Sequence, residues 1–266
     1  MTERIKFVCI SLTDADERRE LMTRQFAEHG IDAQFFDAIK PRNTTDDVSI
    51  EDRAARMRRH GRSMSRGEIG CYLSHREVWK QLVASEDDVC CVMEDDIVLR
   101  SGFRAAVLEL AAHSEHWDIV RLMGLLGNPR IPYATMPSGM RVMWTDRQTC
   151  GTQCYVITRA AAAKMLRYTS RIIAPIDMTM DRHWEHGLRF LITSPEFVEE
   201  ELTLETMMDT GPVIKTLSTR LREKFFRRMD KVGAAIYNAK HRPKQSVMVK
   251  TDISQAAPII PGTLAS

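Results

Sequence analysis

Apolar and polar positions along this chain fall into blocks, each about the length of one secondary-structure element. Ile5 to Leu12 (IKFVCISL) is almost continuously apolar, which predicts a strand buried on both faces. Thr13, Asp14 and Asp16 then open a helix with an acidic first turn, as the helix dipole favours. Leu21, Met22 and Phe26 share one face of that helix, and Gly30 is placed to end it. A second strand over Ala33 to Phe36 runs into Asp37 and Ala38. Strand, helix and strand with short joints make a βαβ unit, so the sheet is predicted to be at least partly parallel. Lys40 to Arg62 is polar and carries Arg53, Arg56, Arg58, Arg59 and Arg62. It reads as a mobile excursion off the sheet, either a solvated basic face or a flap that orders over a phosphate-bearing ligand. Ser65-Arg66-Gly67-Glu68 is a capping box for a helix whose residues Ile69, Leu73 and Val78 face the core. Gly67 and Gly70 cost that helix about 1 kcal/mol each, as befits a place where a ligand or another backbone comes close.

Val89 to Leu99 (VCCVMEDDIVL) follows: five apolar residues, then Glu94, Asp95 and Asp96, then apolar positions again. Further on, Ser101 caps a helix over Phe103 to Ala112, and Asp118 to Met123 is the next strand. Gly124, Gly127, Asn128 and Pro129 form a loop, and Ile131 to Trp144 folds as a hairpin turning at Pro137-Ser138-Gly139. Gln153 to Ile157 is a strand, Ala160 to Tyr168 a helix, and Leu188 to Thr193 the expected last strand before Pro195. Leu217, Leu221, Phe225, Met229 and Ile236 then recur near helical spacing. Lys215 to Lys244 holds ten basic residues against Glu223 and Asp230, a local +8. Such a helix lies either on an anionic bilayer surface or against its own domain with a solvated basic face. The expected organisation is an α/β domain over 1–212, a basic helical extension over 213–244 and a poorly ordered tail over 245–266.

Composition narrows the field. At 266 residues and 44% hydrophobic content the chain can bury a full core, and a net charge of +2 gives no global field for nucleic acid. Six cysteines show no tight ligand spacing beyond Cys150-x-x-x-Cys154 and read mainly as small core residues. With no secretory segment, and no run near the ~18 apolar residues of a membrane span, a reducing cytoplasm is expected, with at most a peripheral place on the inner membrane face. No Gly-x-Gly-x-x-Gly follows the first strand, which weakens a dinucleotide reading.

The chemistry gathers at two acidic places. Three carboxylates at a strand's exit must reach water or meet a cation, because an unpaired buried carboxylate is very costly. Taken alone, a solvated acidic loop is the commoner outcome. Side chains alternate along an extended chain, so Glu94 and Asp96 share a side and make an acid-x-acid pair suited to a hard divalent cation. Asp37 ends the second strand, either as a ribose or base-edge ligand or as a plain turn aspartate. Asp177 and Asp181, four apart, share a helix face and supply a candidate general base; His183 and His186, three apart, are candidate metal ligands.

The ISL opening with Arg18 soon after, FFDA at Phe35–Ala38, GEIGCYLSH at Gly67–His75 and MEDDIVL at Met93–Leu99 occur in one order and spacing. That series resembles glycosyltransferase family 25, which includes bacterial lipopolysaccharide and lipooligosaccharide galactosyltransferases and animal collagen galactosyltransferases. The resemblance implies a GT-A fold: a Rossmann-like, mostly parallel sheet flanked by helices. It implies an inverting hexosyl transfer, galactose foremost, from a UDP-sugar to a lipopolysaccharide core or other surface glycan. Mn2+ is the implied metal, with Mg2+ as alternative, held by Glu94 and Asp96 with His183 or His186. Donor contacts are expected from Ser11, Leu12, Arg18, Asp37, Ser74 and Asp95, and contacts near the transferred sugar from Gly151, Thr152 and Gln153. The base is expected to be Asp177, with Asp181 second. Pro175-Ile176-Asp177 resembles the family's P-I-D, whereas Gly211-Pro212-Val213-Ile214 stands where a serine-containing S-x-I is often found. Phosphoryl or nucleotidyl transfer, or a non-catalytic glycan- or membrane-binding protein, are the other functions these acids would fit.

Overall fold

A computed structural model describes residues 4–41, 50–201 and 217–249. In chain order the elements are β1 (Ile5–Ser11), α1 (Asp16–His29), β2 (Ala33–Asp37), α2 (Arg53–His60), α3 (Arg66–Ala84), β3 (Val89–Glu94) and β4 (Ile97–Leu99). Next come α4 (Phe103–Ala112), β5 (Ile119–Arg121), β6 (Arg130–Thr135), β7 (Arg141–Thr145), β8 (Cys154–Thr158) and α5 (Arg159–Tyr168). The chain continues through α6 (Ile176–Met180), α7 (His183–His186), β9 (Phe190–Ser194), β10 (Val198–Glu200), α8 (Leu217–His241) and β11 (Val247–Met248).

Nine strands form one sheet in the order β11-β6-β7-β9-β5-β8-β3-β1-β2. The pairings make all strands but β8 and β7 run the same way, and β8 lies antiparallel between β3 and β5. The fold is α/β, with helices on both faces of the sheet. Strand β3 shows why. Cys91 and Met93 pack with Met22 and Phe26 of α1 on one side, while Cys90 and Val92 pack with Trp79 of α3 and Met165 of α5 on the other. A strand covered on both faces needs an unbroken apolar run, and VCCVM provides it.

Local signals formed as predicted. Gly30 ends α1 at φ 62, a left-handed cap that glycine adopts without strain. Both halves of the Ser65–Glu68 capping box are made. Gly70 admits another backbone: a Cβ there would lie 2.4 Å from the Ile39 carbonyl oxygen. Ser74, one turn on, accepts the Ile39 N–H at 2.8 Å and donates to the Gly70 carbonyl at 2.7 Å. The start of α3 is thus bolted to the chain leaving β2.

Three expectations change. The basic excursion contains a docked helix, α2, and Arg56 is buried, donating to the Arg62 and Ile173 carbonyls. Arg59 pairs with Asp230 and Arg62 with Glu68, so these cations are bound to the protein itself rather than held ready for a phosphate; residues 42–49 lie outside the described residues. Leu188 to Thr193 is not the last strand: β10 pairs antiparallel with β4, and β11 adds to the outer edge of the large sheet from within the expected tail. Two and three residues are too few for a hydrophobic period to be visible. Residues 202–216 and 250–266, which include the 212/213 boundary and Gly211–Ile214, lie outside the described residues. Among the described residues no helix is long and apolar enough to cross a membrane.

Gly70→Ala is expected to destabilise the protein by about 1–3 kcal/mol in urea unfolding, because overpacking against a backbone carbonyl outweighs the gain in helix propensity. An unchanged or raised midpoint would show that the α3–β2 contact yields at no cost.

Candidate active site

Both acidic segments come to one end of the sheet, joined by a turn. Strand β3 delivers Glu94 at its carboxyl end, and the turn before β8 runs beside it: the Glu94 N–H donates to the Gln153 carbonyl at 2.8 Å. In that turn two residues each hold an acid. The Cys150 N–H donates to Asp181 Oδ2 at 2.8 Å and the Thr152 hydroxyl to Glu94 Oε1. Such a crowd of N–H and O–H donors needs unusual backbone, and Cys150 (φ 54) and Gly151 (φ 83) are both left-handed. Gly151 has no room for a side chain, since a Cβ would lie 3.0 Å from Leu125 Cγ.

Glu94 is also held by His75. Trp79 Nε1 donates to the Tyr155 hydroxyl at 2.9 Å, so that hydroxyl is left to donate to His75 Nδ1, also at 2.9 Å. His75 Nε2 therefore carries a proton toward Glu94 Oε1 at 3.2 Å. Burial acts to raise the Glu94 pKa, but the His75 and Thr152 hydrogen bonds and the Arg18 charge outweigh it and the net direction is down. His75 is buried, and Cys71, one helical turn before it, faces the same spot. Cys71, His75 and Glu94 have ligand atoms within 4.8 Å of one another, the only such group among the described residues. Since both His75 ring nitrogens are already engaged, we read this group as a brace for Glu94. Burial first, and then the charges of Glu94, Asp177 and Asp96, push the Cys71 thiol up, offset in part by Thr152. The four-residue spacing of Cys71 and His75, one helical turn, is the mark this group leaves in the sequence.

Asp95 points away from Glu94, as strand alternation predicts, into a closed set of bonds. Ser11 Oγ donates to its Oδ2 at 2.6 Å and Arg18 Nη1 to its Oδ1 at 2.9 Å. Ser11 and Asp95 are both buried. They orient Arg18 rather than present their own oxygens to a donor. Leu12 gives its carbonyl to Arg19 and to the Ala15 N–H, and Asp37 is paired with Arg19, though its carboxylate stays largely exposed at the sheet edge. Ser74 spends both hydrogen bonds on Ile39 and Gly70 and is fully buried, which removes it as a direct donor contact.

Asp96 is the least compensated acid. Its side chain is 40% exposed, with Arg18 at 3.8 Å, yet its Oδ1 is buried without a hydrogen-bond partner. Burial first, and then the charge of Glu94, push its pKa up to about 6. An orphaned carboxylate oxygen beside a second carboxylate suits a hard divalent cation, and Asp96 with Glu94 fits that ligand set.

In the second segment the two aspartates separate. α6 ends at Met180, so Asp181 lies at its C-cap and turns inward. It forms an ion pair with Arg121 at 2.6 Å in which both side chains are 1% exposed. Thr149 and the Cys150 N–H take its remaining lone pairs. Asp181 is thereby withdrawn as a base. Asp177 is half-buried and faces the Gly151 N–H; burial raises its pKa, offset in part by the Met178 N–H and Arg121. The histidines are also withdrawn as metal ligands. His186 Nε2 bonds the Met180 carbonyl at 2.9 Å and its Nδ1 accepts the Leu188 N–H. His183 Nε2 bonds Asn238 at 3.3 Å, and burial lowers its pKa. Gln153 is oriented toward Glu200, at 3.4 Å. A groove of about 1060 Å³ opens between α8 and the segment from Leu126 to Gln148 and reaches Met178, the neighbour of Asp177. Arg59, Arg147, Arg227, Trp184 and Phe226 are among its walls.

Comparison with known proteins gives a consistent picture. The model of glycosyltransferase family 25 (LPS biosynthesis protein) matches residues 4–180. The lacto-N-neotetraose biosynthesis glycosyltransferase LgtB of Neisseria meningitidis is 28% identical over 78% of this chain and 80% of its own length. The lipooligosaccharide biosynthesis protein lic2B of Haemophilus influenzae is 27% identical over 64% of this chain and 67% of its own. A glycosyltransferase 25 family member from Aedes aegypti is 36% identical over 42% of this chain, but the match spans only 20% of that protein. A bovine relative, 28% identical over 63% of this chain and 30% of its own length, is named a probable inactive family member. Among solved structures, a glycosyltransferase involved in glycosylation of the major capsid of PBCV-1 aligns over 85% of this chain and 99% of its own, at TM-score 0.41 and 9% identity.

Breaking the buried Arg121–Asp181 pair with Asp181→Ala is expected to cost about 3–5 kcal/mol in urea unfolding, against less than about 1 kcal/mol for Asp177→Asn. Equal losses would contradict the division of roles between the two. The folded Asp96 carboxyl titrates near 6, against an ordinary value of 3.8. Its contribution to stability is thus complete below the ordinary value and lost as pH rises through 6. In EDTA, Asp96→Asn should melt above the wild type at pH 7–8, with the gap closing below pH 4; a gap independent of pH would reject the assigned cause.

Proposed function

The chain belongs to glycosyltransferase family 25, and on that premise we propose that it transfers a hexose, galactose foremost, from a UDP-sugar to a hydroxyl of a lipopolysaccharide core or other surface glycan, with inversion. The observation that carries this reading is the meeting of two carboxylate sites at the turn 150–152: Thr152 holds Glu94, near Asp96, and the Cys150 N–H holds Asp181, four residues after Asp177.

Displacement at an anomeric carbon forms a bond from the acceptor oxygen as the bond to the diphosphate oxygen breaks, and the acceptor's proton must go elsewhere. Asp177 is the group suited to take that proton. Its burial raises its affinity for it. Asp96 and Glu94 would hold a divalent cation, Mn2+ or Mg2+, which supplies Lewis-acid stabilisation of the leaving diphosphate when bound. Arg18, aimed by Asp95 and Ser11, adds a fixed positive charge beside Asp96. His75 and Thr152 keep Glu94 ionised and in place. The groove at Met178, whose walls include Trp184 and Phe226 among polar side chains of both charges, suits an acceptor glycan.

The test is a screen of UDP-sugars for UDP release, with lipooligosaccharide as acceptor, in Mn2+, Mg2+ or EDTA. UDP release from UDP-galactose that stops in EDTA is expected, with Asp177→Asn and Asp96→Asn each lowering kcat by about 10²–10⁴-fold while the fold is retained. Release of inorganic phosphate or pyrophosphate would favour phosphoryl or nucleotidyl transfer instead. Full turnover by Asp177→Asn would remove it as the base.

A further inference from the structure

Helix α8 is built inside out for a domain helix. Its polar side packs against the body of the protein and its apolar side faces outward. On the inner side Asp230 pairs with Arg59 and, at 2.9 Å, with Arg182. Asn238 bonds His183 and donates to the Asp146 carbonyl at 3.1 Å. The Tyr237 ring stacks on Trp144 at a centroid distance of 6.1 Å and 7° between planes. Gly233 lets Trp184 lie against the helix, its ring 3.1 Å from where a Cβ would be. On the other side Leu221, Phe225, Met229, Val232 and Ile236 are 54–70% exposed. At 3.6 residues per turn these five fall within an arc of about 80°, one continuous stripe on a helix of roughly 37 Å.

Charge is sorted the same way. Both acids of the helix face inward or are paired: Asp230 as described, and Glu223 with Arg227 at 3.8 Å. Along the borders of the stripe lie Arg222 and Lys240 on one side and Lys224, Arg228 and Lys231 on the other, all exposed. Among the described residues none of these five makes an ion pair. A second copy of the chain would bring these cationic borders face to face, which disfavours it as the occupant. A surface that takes apolar side chains to shallow depth and meets cations on both flanks is an anionic lipid bilayer.

We propose that α8 lies in the plane of an anionic membrane surface, with the stripe from Leu221 to Ile236 inserted among the acyl chains and the flanking arginines and lysines on the headgroups. This contact does not depend on the proposed reaction. The inward pairs of Asp230 and Asn238 hold the helix with its stripe outward before any membrane is met, so binding requires no refolding.

The full chain is tested by co-sedimentation with vesicles of phosphatidylcholine alone or of phosphatidylcholine with phosphatidylglycerol. Binding only to the anionic vesicles is expected, weakening with salt. It should fall at least about tenfold in Phe225→Ser/Ile236→Ser and again in Lys224→Glu/Arg228→Glu, since apolar insertion and headgroup attraction both contribute. Both pairs are exposed, so the variants should fold, and their melting temperatures check it. A Phe225→Trp variant should shift its emission to the blue on anionic vesicles. Wild type left in the supernatant would overturn the proposal, as would equal binding by all variants. So would a wild-type dimer that Phe225→Ser/Ile236→Ser turns into a monomer, which would assign the stripe to a second copy.

Discussion

The structure is governed by the need to hold four carboxylates, Glu94, Asp96, Asp177 and Asp181, close together at one end of a sheet. Like charges at such spacing repel, and burial removes the water that would screen them. The turn 150–152 answers with the Cys150 N–H for Asp181 and the Thr152 hydroxyl for Glu94. Buried cations or a histidine then take a share: Arg121 for Asp181, His75 for Glu94. Asp96 keeps a buried oxygen with no hydrogen-bond partner, and burial together with the charge of Glu94 disfavours its ionised form. The chemistry proposed for the site follows from that uneven compensation more than from the number of acids.

Much of the fold was legible because its signals are local. The βαβ start, the capping box, the glycine cap of α1 and the hairpin of β6 and β7 each depend on residues within a few positions of one another. Gly70 was legible as a point of close approach, although nothing nearby in sequence says that Ile39 is what approaches. The site was legible as a set of residue types and much less as a set of roles. Asp181 and Asp177 read alike in a line of letters; what separates them is Arg121, sixty residues earlier, and a helix that stops at Met180. His183 and His186 have ligand spacing, but His186 spends both nitrogens on the Met180 carbonyl and the Leu188 N–H, and His183 Nε2 is bonded to Asn238. Asp95 and Ser74 are likewise consumed by partners brought in from β1 and from the chain after β2.

Helix α8 shows the same limit in another form. Its periodicity announces an apolar face and a basic border, and both the membrane and the domain-packed arrangement share that pattern. Only the long-range partners decide which face turns inward, and here they are polar: Arg182 for Asp230, His183 for Asn238. The pair Arg182 and His183, next to Asp181, also ties the helix to the segment that carries Asp177, so the outward stripe and the acidic centre share one short stretch of chain.

The antiparallel placement of β8 has a bearing on how the molecule is made. β2, β1 and β3 form one block and β5, β9, β7, β6 and β11 another, and β8 is the single seam between them. As the polypeptide leaves the ribosome, the first block is complete by residue 94 but keeps a bare inner border until residues 154–158 arrive. Such an unpaired border is open to the wrong neighbour. The turn that delivers β8 also carries the Thr152 bond to Glu94, so closing the seam brings that brace into place, and Asp177 and Asp181 join from chain made later.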